Sequence, residues 1–264
     1  MCLKIKILHK YNKLFLVNDR LRKYCREIIE FNPKINSIKD GLACFVLAKA
    51  YKTHGVVINL VKSGYSEDAE MLTRSLFDLA LLISSCLKDK TDKTALKYFR
   101  FDYPLRSKMF KQLQDEGKFK DYFEERRNNP KTGDEPIEEI QKQANSWINE
   151  YGKDFYRIWH SGQTTGELAK SVNLGGYFST AFNLQSQLIH SLPRCMNRYL
   201  IDDCEKIKMD VSPKISEVSL AIVSAFNMLV VILDKFNDHY KIIDEKELKQ
   251  LVDDWVKAVN ETTE

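Results

Sequence analysis

The sequence predicts an all-α protein: a central bundle of four or more long helices with a charged peripheral helical segment. Three observations carry that prediction. Glycine and proline are scarce, 10 and 6 among 264 residues, so few breakers interrupt the elements. Apolar residues recur at helical spacing, as in Leu72, Leu76, Leu79, Ile83 and Leu87. Alternation of the β kind never lasts more than a few residues, so no strand is expected.

A first helix is expected from Leu3 to Phe31, stopping at Asn32-Pro33, because the residue before proline avoids the helical region. Ser37 is a good N-cap for a second helix running to Ser63-Gly64. A third starts at Ser66, with Glu67, Asp68 and Glu70 in the turn where the helix dipole favours acids, and runs to about Leu87. Residues 88–152 are dense in charge and read as peripheral cover. Pro104 and Gly117 break them into short helices, 128–136 is a turn-rich loop, and Pro136 opens another helix ending near Tyr151-Gly152. The stretch 153–176 reads as irregular. Long helices follow from about Gly176 to Asp203 and from Ser212-Pro213 to about Tyr240. Asp244 and Glu247 begin the last one, to about Val259. The whole chain reads as one domain, 1–264: a basic N-terminal helix in 1–36, a central bundle from 37–87 and 175–241, and peripheral helices and loop in 88–174.

Charged residues make up 30% and hydrophobic ones 44%, an ordinary soluble globular balance. The N-terminus lacks a clean apolar core and a small-residue cleavage site, so no signal peptide is expected. The strongly apolar stretch Val218 to Leu233 carries no charge but is short for a membrane span of ~20 residues, so a buried core helix is expected. The six cysteines show no C-x-x-C spacing, and most sit among apolar neighbours. Reduced thiols in a cytoplasmic protein are expected. The net charge is +4, but residues 1–34 hold nine basic and three acidic side chains. A basic amphipathic helix of this kind could rest on nucleic acid or on an anionic membrane surface, or could simply be solvated.

The run from Gly175 to Pro193 holds no Lys, Arg, Asp or Glu. A surface helix normally shows a charged face. Here one face is apolar, and the other carries Ser179, Asn183, Ser186 and His190 at spacings of four, three and four. Such a face is expected to look inward or onto another protein, where its polar groups need partners. Arg74 and Asp78 offer them: they are neighbours on one helix face, and Asp78 sits within the apolar LFDLALLI. A buried carboxylate needs a cation, so Arg74 is its expected partner and His190 the next. The candidate catalytic set is therefore His190, Arg74 and Asp78, with Ser186, Asn183, Arg157 and His160 as candidate ligand-binding residues. Alternatively the same groups form only a network that fixes helix register. No histidine pairing suggests a metal, no cofactor is indicated, and Gly162 to Gly166 reads as a turn without the lysine of a phosphate loop.

Residues 64–78, G-Y-S-E-D-A-E-M-L-T-R-S-L-F-D, followed downstream by S-Q-L-I-H at 186–190, resemble an uncharacterised all-helical bacterial domain family. That family shows an R-x-x-x-[E/D] helix and later an S-x-x-x-H helix. Arg74, Asp78, Ser186 and His190 match, with Asp in place of the commoner Glu. The resemblance implies a bacterial or phage source and an all-α fold, and carries no activity. A looser similarity is to HEPN helical bundles, often ribonucleases in toxin and defence systems. The chain departs from their R-x(4–6)-H signature, because no histidine here has an arginine at that spacing.

Three functions follow as expectations. The first is an interaction or sensing domain in stress or phage defence, with self-association or a protein partner. The second is a metal-independent HEPN-like ribonuclease or hydrolase using His190 and Arg74. The third is nucleic-acid or membrane-surface binding by the basic N-terminal helix.

Overall fold

The computed structural model describes residues 2–115, 124, 135–203 and 206–263. Gly117, most of the expected loop 128–136 and Cys204 lie outside the described residues. The described chain is overwhelmingly helical, as expected, and divides into two compact units, 1–88 with 169–264, and 89–168.

The first unit is built on α3 (Ile38–Ser63), α4 (Ser66–Lys88) and the α-helix Val218–Tyr240, each packed extensively against the other two. Helix α3 starts and stops where its sequence dictates. Ser37 Oγ accepts from Asp40 N at 3.2 Å, and Asp40 Oδ2 accepts from Ser37 N at 2.9 Å, closing a capping box. Gly64 ends the helix at φ 85°, the left-handed conformation glycine adopts without penalty. A Cβ on Gly64 would stand 2.9 Å from Pro213 Cβ and 3.0 Å from Leu3 Cδ2, so close packing reinforces the requirement.

Helix α4 buries residues on nearly every side, among them Leu76, Phe77, Leu79, Ala80 and Ile83. By length and composition, Ile38–Ser63 and Val218–Tyr240 are apolar enough to cross a membrane. The latter is 23 residues long because it continues through Asp234, Lys235 and Asp238 beyond the uncharged run. In this fold both pack against α4, and the Val218–Tyr240 helix presents Phe226 to Trp255 of the last helix (Glu245–Thr263) at a ring distance of 3.9 Å.

The expected first helix is two, α1 (Leu3–Lys10) and α2 (Asn12–Phe31). The break falls at Tyr11, whose buried ring sends its hydroxyl to the Ile215 carbonyl at 3.4 Å. The helix expected from Ser212-Pro213 begins only at Val218, because Lys214 N donates instead to Gly64 O at 2.9 Å.

The larger correction concerns 176–203. Helix runs from Gly175 through a π-helical stretch, Phe178–Phe182, and ends with Asn183–Ile189. Ser191 then turns into the left-handed region at φ 48° and Leu192 is extended before Pro193. A 3₁₀ helix follows, Pro193–Arg198, and then an antiparallel hairpin, β1 (Leu200–Asp203) with β2 (Lys206–Met209), where no strand was expected.

The second unit holds α5 (Lys93–Arg100), α6 (Asp102–Asp115) and α7 (Ile137–Tyr151). It has a core of its own around Phe110, Ile137 and Ile140. As expected, helices part just ahead of Pro104: α5 ends at Arg100, whose carbonyl the proline cannot bond, and Pro104 sits in the first turn of α6, where its missing N–H costs nothing. The stretch expected to be irregular contains a 3₁₀ turn, Lys153–Tyr156, and α8 (Thr165–Ser171). Helix α8 is opened by a reciprocal box between Thr164 and Glu167.

Candidate interaction surface and its latch

Arg74 and Asp78 meet as their spacing predicts: Arg74 Nη1 donates to Asp78 Oδ2. Their surroundings differ from the expectation of a buried pair. The Asp78 side chain is 52% exposed. Met71, Arg74, Ser75 and Asp78 form the open stripe of α4, while Leu76, Phe77, Leu79 and Ala80 take the covered faces. Arg74 is held on its apolar side, with its guanidinium 3.8 Å from the Phe182 ring centroid. Phe182 in turn packs on Phe77 at 4.7 Å.

The neutral face of the 175–189 segment does not look inward within this chain. Ser179, Asn183 and His190 are exposed and Ser186 is half-buried. Ser179 and Thr180 satisfy their hydroxyls locally, each donating to the carbonyl four residues back at 2.9 Å, so they require no distant partner. His190 sits past the last helical residue, at the C-cap. Arg157 and His160 belong to the second unit. There Arg157 is exposed, and buried His160 is tied into the Gly162 turn, its Nδ1 3.1 Å from Gln163 O. Among the described residues no three His, Cys, Asp or Glu side chains gather as a metal set.

The buried ionic chemistry lies elsewhere. Glu70 has 0% exposure. Arg198 Nη1 stands 3.6 Å from Glu70 Oε2 and 2.6 Å from Glu217 Oε2. Neither Glu70 oxygen has a hydrogen bond. Burial pushes the Glu70 carboxyl up to about 7; Arg198 pulls it down, and Glu217 and Glu67 push it further up. Burial raises Glu217 too, against the pull of Arg198. Lys214 Nζ donates to the Arg198 carbonyl and pairs with Asp210 at 3.3 Å, and Asp210 N donates to Tyr199 O at 2.8 Å. These contacts latch the segment 193–217 onto α4 and the end of α3. The sequence held a signal for Glu70: it shares the covered stripe of Thr73, Phe77 and Ala80 at spacings of three, four and three.

The latched segment contains the hairpin. Every residue of β2 is exposed, with Ile207 at 73%, Met209 at 78% and, just beyond, Val211 at 85%. Leu192, Met196 and Ile201 are exposed beside them in sequence. Single exposed apolar residues are ordinary; here six of them, Leu192, Met196, Ile201, Ile207, Met209 and Val211, fall within one short segment. A two-stranded hairpin is also marginal by itself in water. Among the described residues the sheet has only these two strands, which leaves an open edge on each.

A second internal network fixes α2 against α3. Fully buried His54 places Nε2 3.0 Å from Asn18 Oδ1. Arg22 donates to Tyr51 O at 2.7 Å and lies 4.1 Å over the Tyr51 ring. Part of the basic N-terminal charge is likewise engaged, Lys13 with Glu261 at 2.7 Å and Arg20 with Asp254 at 2.5 Å.

A family model described as a family of unknown function, DUF5677, matches residues 40–207. That span includes Arg74, Asp78, Arg157, His160, Asn183, Ser186, His190 and the first half of the hairpin. No curated protein and no solved structure matches the chain.

Proposed function

The chain belongs to the DUF5677 family, and from that premise we propose that it is a protein-interaction domain whose hairpin, 200–211, docks a partner protein. The observation that supports this reading is the full exposure of β2 with its apolar side chains Ile207 and Met209. Lysines alternate with those apolar residues along β2, as K-I-K-M. An extended partner segment that alternates acidic and apolar residues would complement the edge, adding a strand through backbone hydrogen bonds. A two-fold pairing of β2 with the same strand of a second copy would instead bring four lysines along one seam, and charges of one sign disfavour it. The occupant is therefore a different protein. The same reading places the chain in the cytoplasm, where its free cysteines would stay reduced.

The test is a titration of the full chain with synthetic peptides that alternate isoleucine with aspartate or with lysine, followed by backbone amide shifts. The acidic peptide should bind at the hairpin, more weakly as salt rises, and Ile207→Asp with Met209→Asp should abolish it. Equal binding of both peptides, or a sedimenting dimer that the same substitutions dissolve, would reject the reading.

A further inference from the structure

The first unit holds a cleft of about 370 Å³ whose lining residues are all distinct from those of the hairpin and its latch. Ser84 and Lys88 of α4, Asn173 after α8, and Lys235, Asp238 and His239 of the Val218–Tyr240 helix line it. Its size falls at the small end of ligand sites, which run from roughly 300 to 1,000 Å³.

Two of its groups keep binding capacity that the fold does not exhaust. Ser84 is 3% exposed, and its Oγ has no hydrogen-bond partner. A buried hydroxyl left this way costs on the order of 1–3 kcal/mol, so it is a donor waiting for an acceptor. One turn further along α4, Lys88 Nζ donates to the Ser171 carbonyl at 2.6 Å. A carbonyl carries no full charge, and among the described residues the Lys88 ammonium meets no carboxylate, so no negative side chain balances it at the cleft.

The remaining charged groups are paired with one another. Lys235 Nζ lies 3.0 Å from both Asp234 and Asp238. His239 Nε2 lies 2.7 Å from Asp40 Oδ1. The cleft therefore offers a lysine without a carboxylate partner beside an unpartnered hydroxyl, with Asp234 and Asp238, which share the one cation Lys235, close enough to repel a second negative group. We propose that this cleft binds a small organic ligand through a single anionic group, a carboxylate or a phosphate. Lys88 Nζ supplies the counter-charge and Ser84 Oγ a hydrogen bond. The acidic pair around Lys235 selects against polyanions.

Acetate and inorganic phosphate, titrated separately into the full chain at constant ionic strength, test this, with backbone amide shifts as the readout. At least one anion should shift the amides of 84–88 and 171–173 in a saturable way, and which one does so assigns the group. Lys88→Ala should weaken that binding on the order of tenfold or more, since a charged hydrogen bond is lost. Ser84→Ala should weaken it several-fold, and Lys249→Ala, on the last helix outside the cleft, should leave it unchanged. Absence of a saturable shift with either anion overturns the proposal, as does binding that Lys88→Ala leaves intact.

Discussion

Arg198 stands 3.6 Å from Glu70, a carboxyl with no exposure to solvent, and the same guanidinium lies closer still to Glu217 at 2.6 Å. One cation thus serves two carboxylates, and the buried one gains too little to offset its desolvation.

Stability should respond to pH accordingly. Burial first, and Glu217 and Glu67 after it, hold the folded-state Glu70 at about 7 against an ordinary 4.5. Below the ordinary value both folded and unfolded chains are protonated there, so nothing is lost. As pH rises from about 4.5 to about 7 the unfolded chain ionises first, and the fold loses stability, by at most ~3 kcal/mol. Glu70→Gln should therefore gain on the wild type between pH 5 and pH 8, measured as the difference in urea midpoints. A difference that stays constant or shrinks over that window contradicts the assignment.

His54 acts with the opposite sign. Burial, and then Arg22, push its imidazole down to about 3. The stability it contributes is whole above the ordinary 6.5 and drains away as pH falls from there toward 3, because only the unfolded chain takes up the proton. The fall should approach ~1.4 kcal/mol per pH unit in the middle of that window. Comparing wild type with His54→Gln by chemical unfolding at pH 7, 6, 5 and 4 isolates the effect, since the variant should lack this component of the slope.

Gly55 has a spatial reason to be glycine inside a helix. A Cβ there would stand 3.0 Å from both Nη1 and Nη2 of Arg22, which is fixed by the Tyr51 carbonyl and ring. Gly55→Ala should cost about 1–3 kcal/mol through this overpacking, although alanine is the better helix former by roughly 1 kcal/mol. In an Arg22→Ala background the clash is gone and the same substitution should stabilise. The sign reversal, read from a double-mutant cycle, is the check; equal effects in both backgrounds would remove Arg22 from the explanation.

The helices whose ends are set locally were legible in the sequence. Ser37 with Asp40 fixed one terminus of α3, Gly64 the other, and Asn32-Pro33 the end of α2. What escaped depended on distant partners. Glu70 looked like a residue placed for the helix dipole because nothing nearby announces Arg198 or Glu217. The Tyr11 break serves a contact with Ile215, and the late start at Val218 serves a bond to Gly64. The hairpin strands are only four residues each, too short for alternation to stand out. One local signal was present and outweighed by apolar periodicity: Pro193 forbids the helix that the pattern around Leu192 and Met196 suggested.

Arg74 and Asp78 show how far a sequence motif reaches. The spacing placed them in contact, but the pair lies on the open stripe of α4 with Asp78 half in water. Screening keeps such pairs near 0–1 kcal/mol, so Asp78→Ala should cost less than about 1 kcal/mol. Arg74 is anchored differently, by the face of Phe182 that also packs on Phe77. Arg74→Ala uncovers that ring and should cost more than Asp78→Ala, by roughly 0.5–1 kcal/mol for the lost cation–π contact. In a Phe182→Leu background most of that excess should vanish. Thermal and urea unfolding of the four variants decide it: if Asp78→Ala is the costlier change, the ion pair and not the aromatic contact holds Arg74.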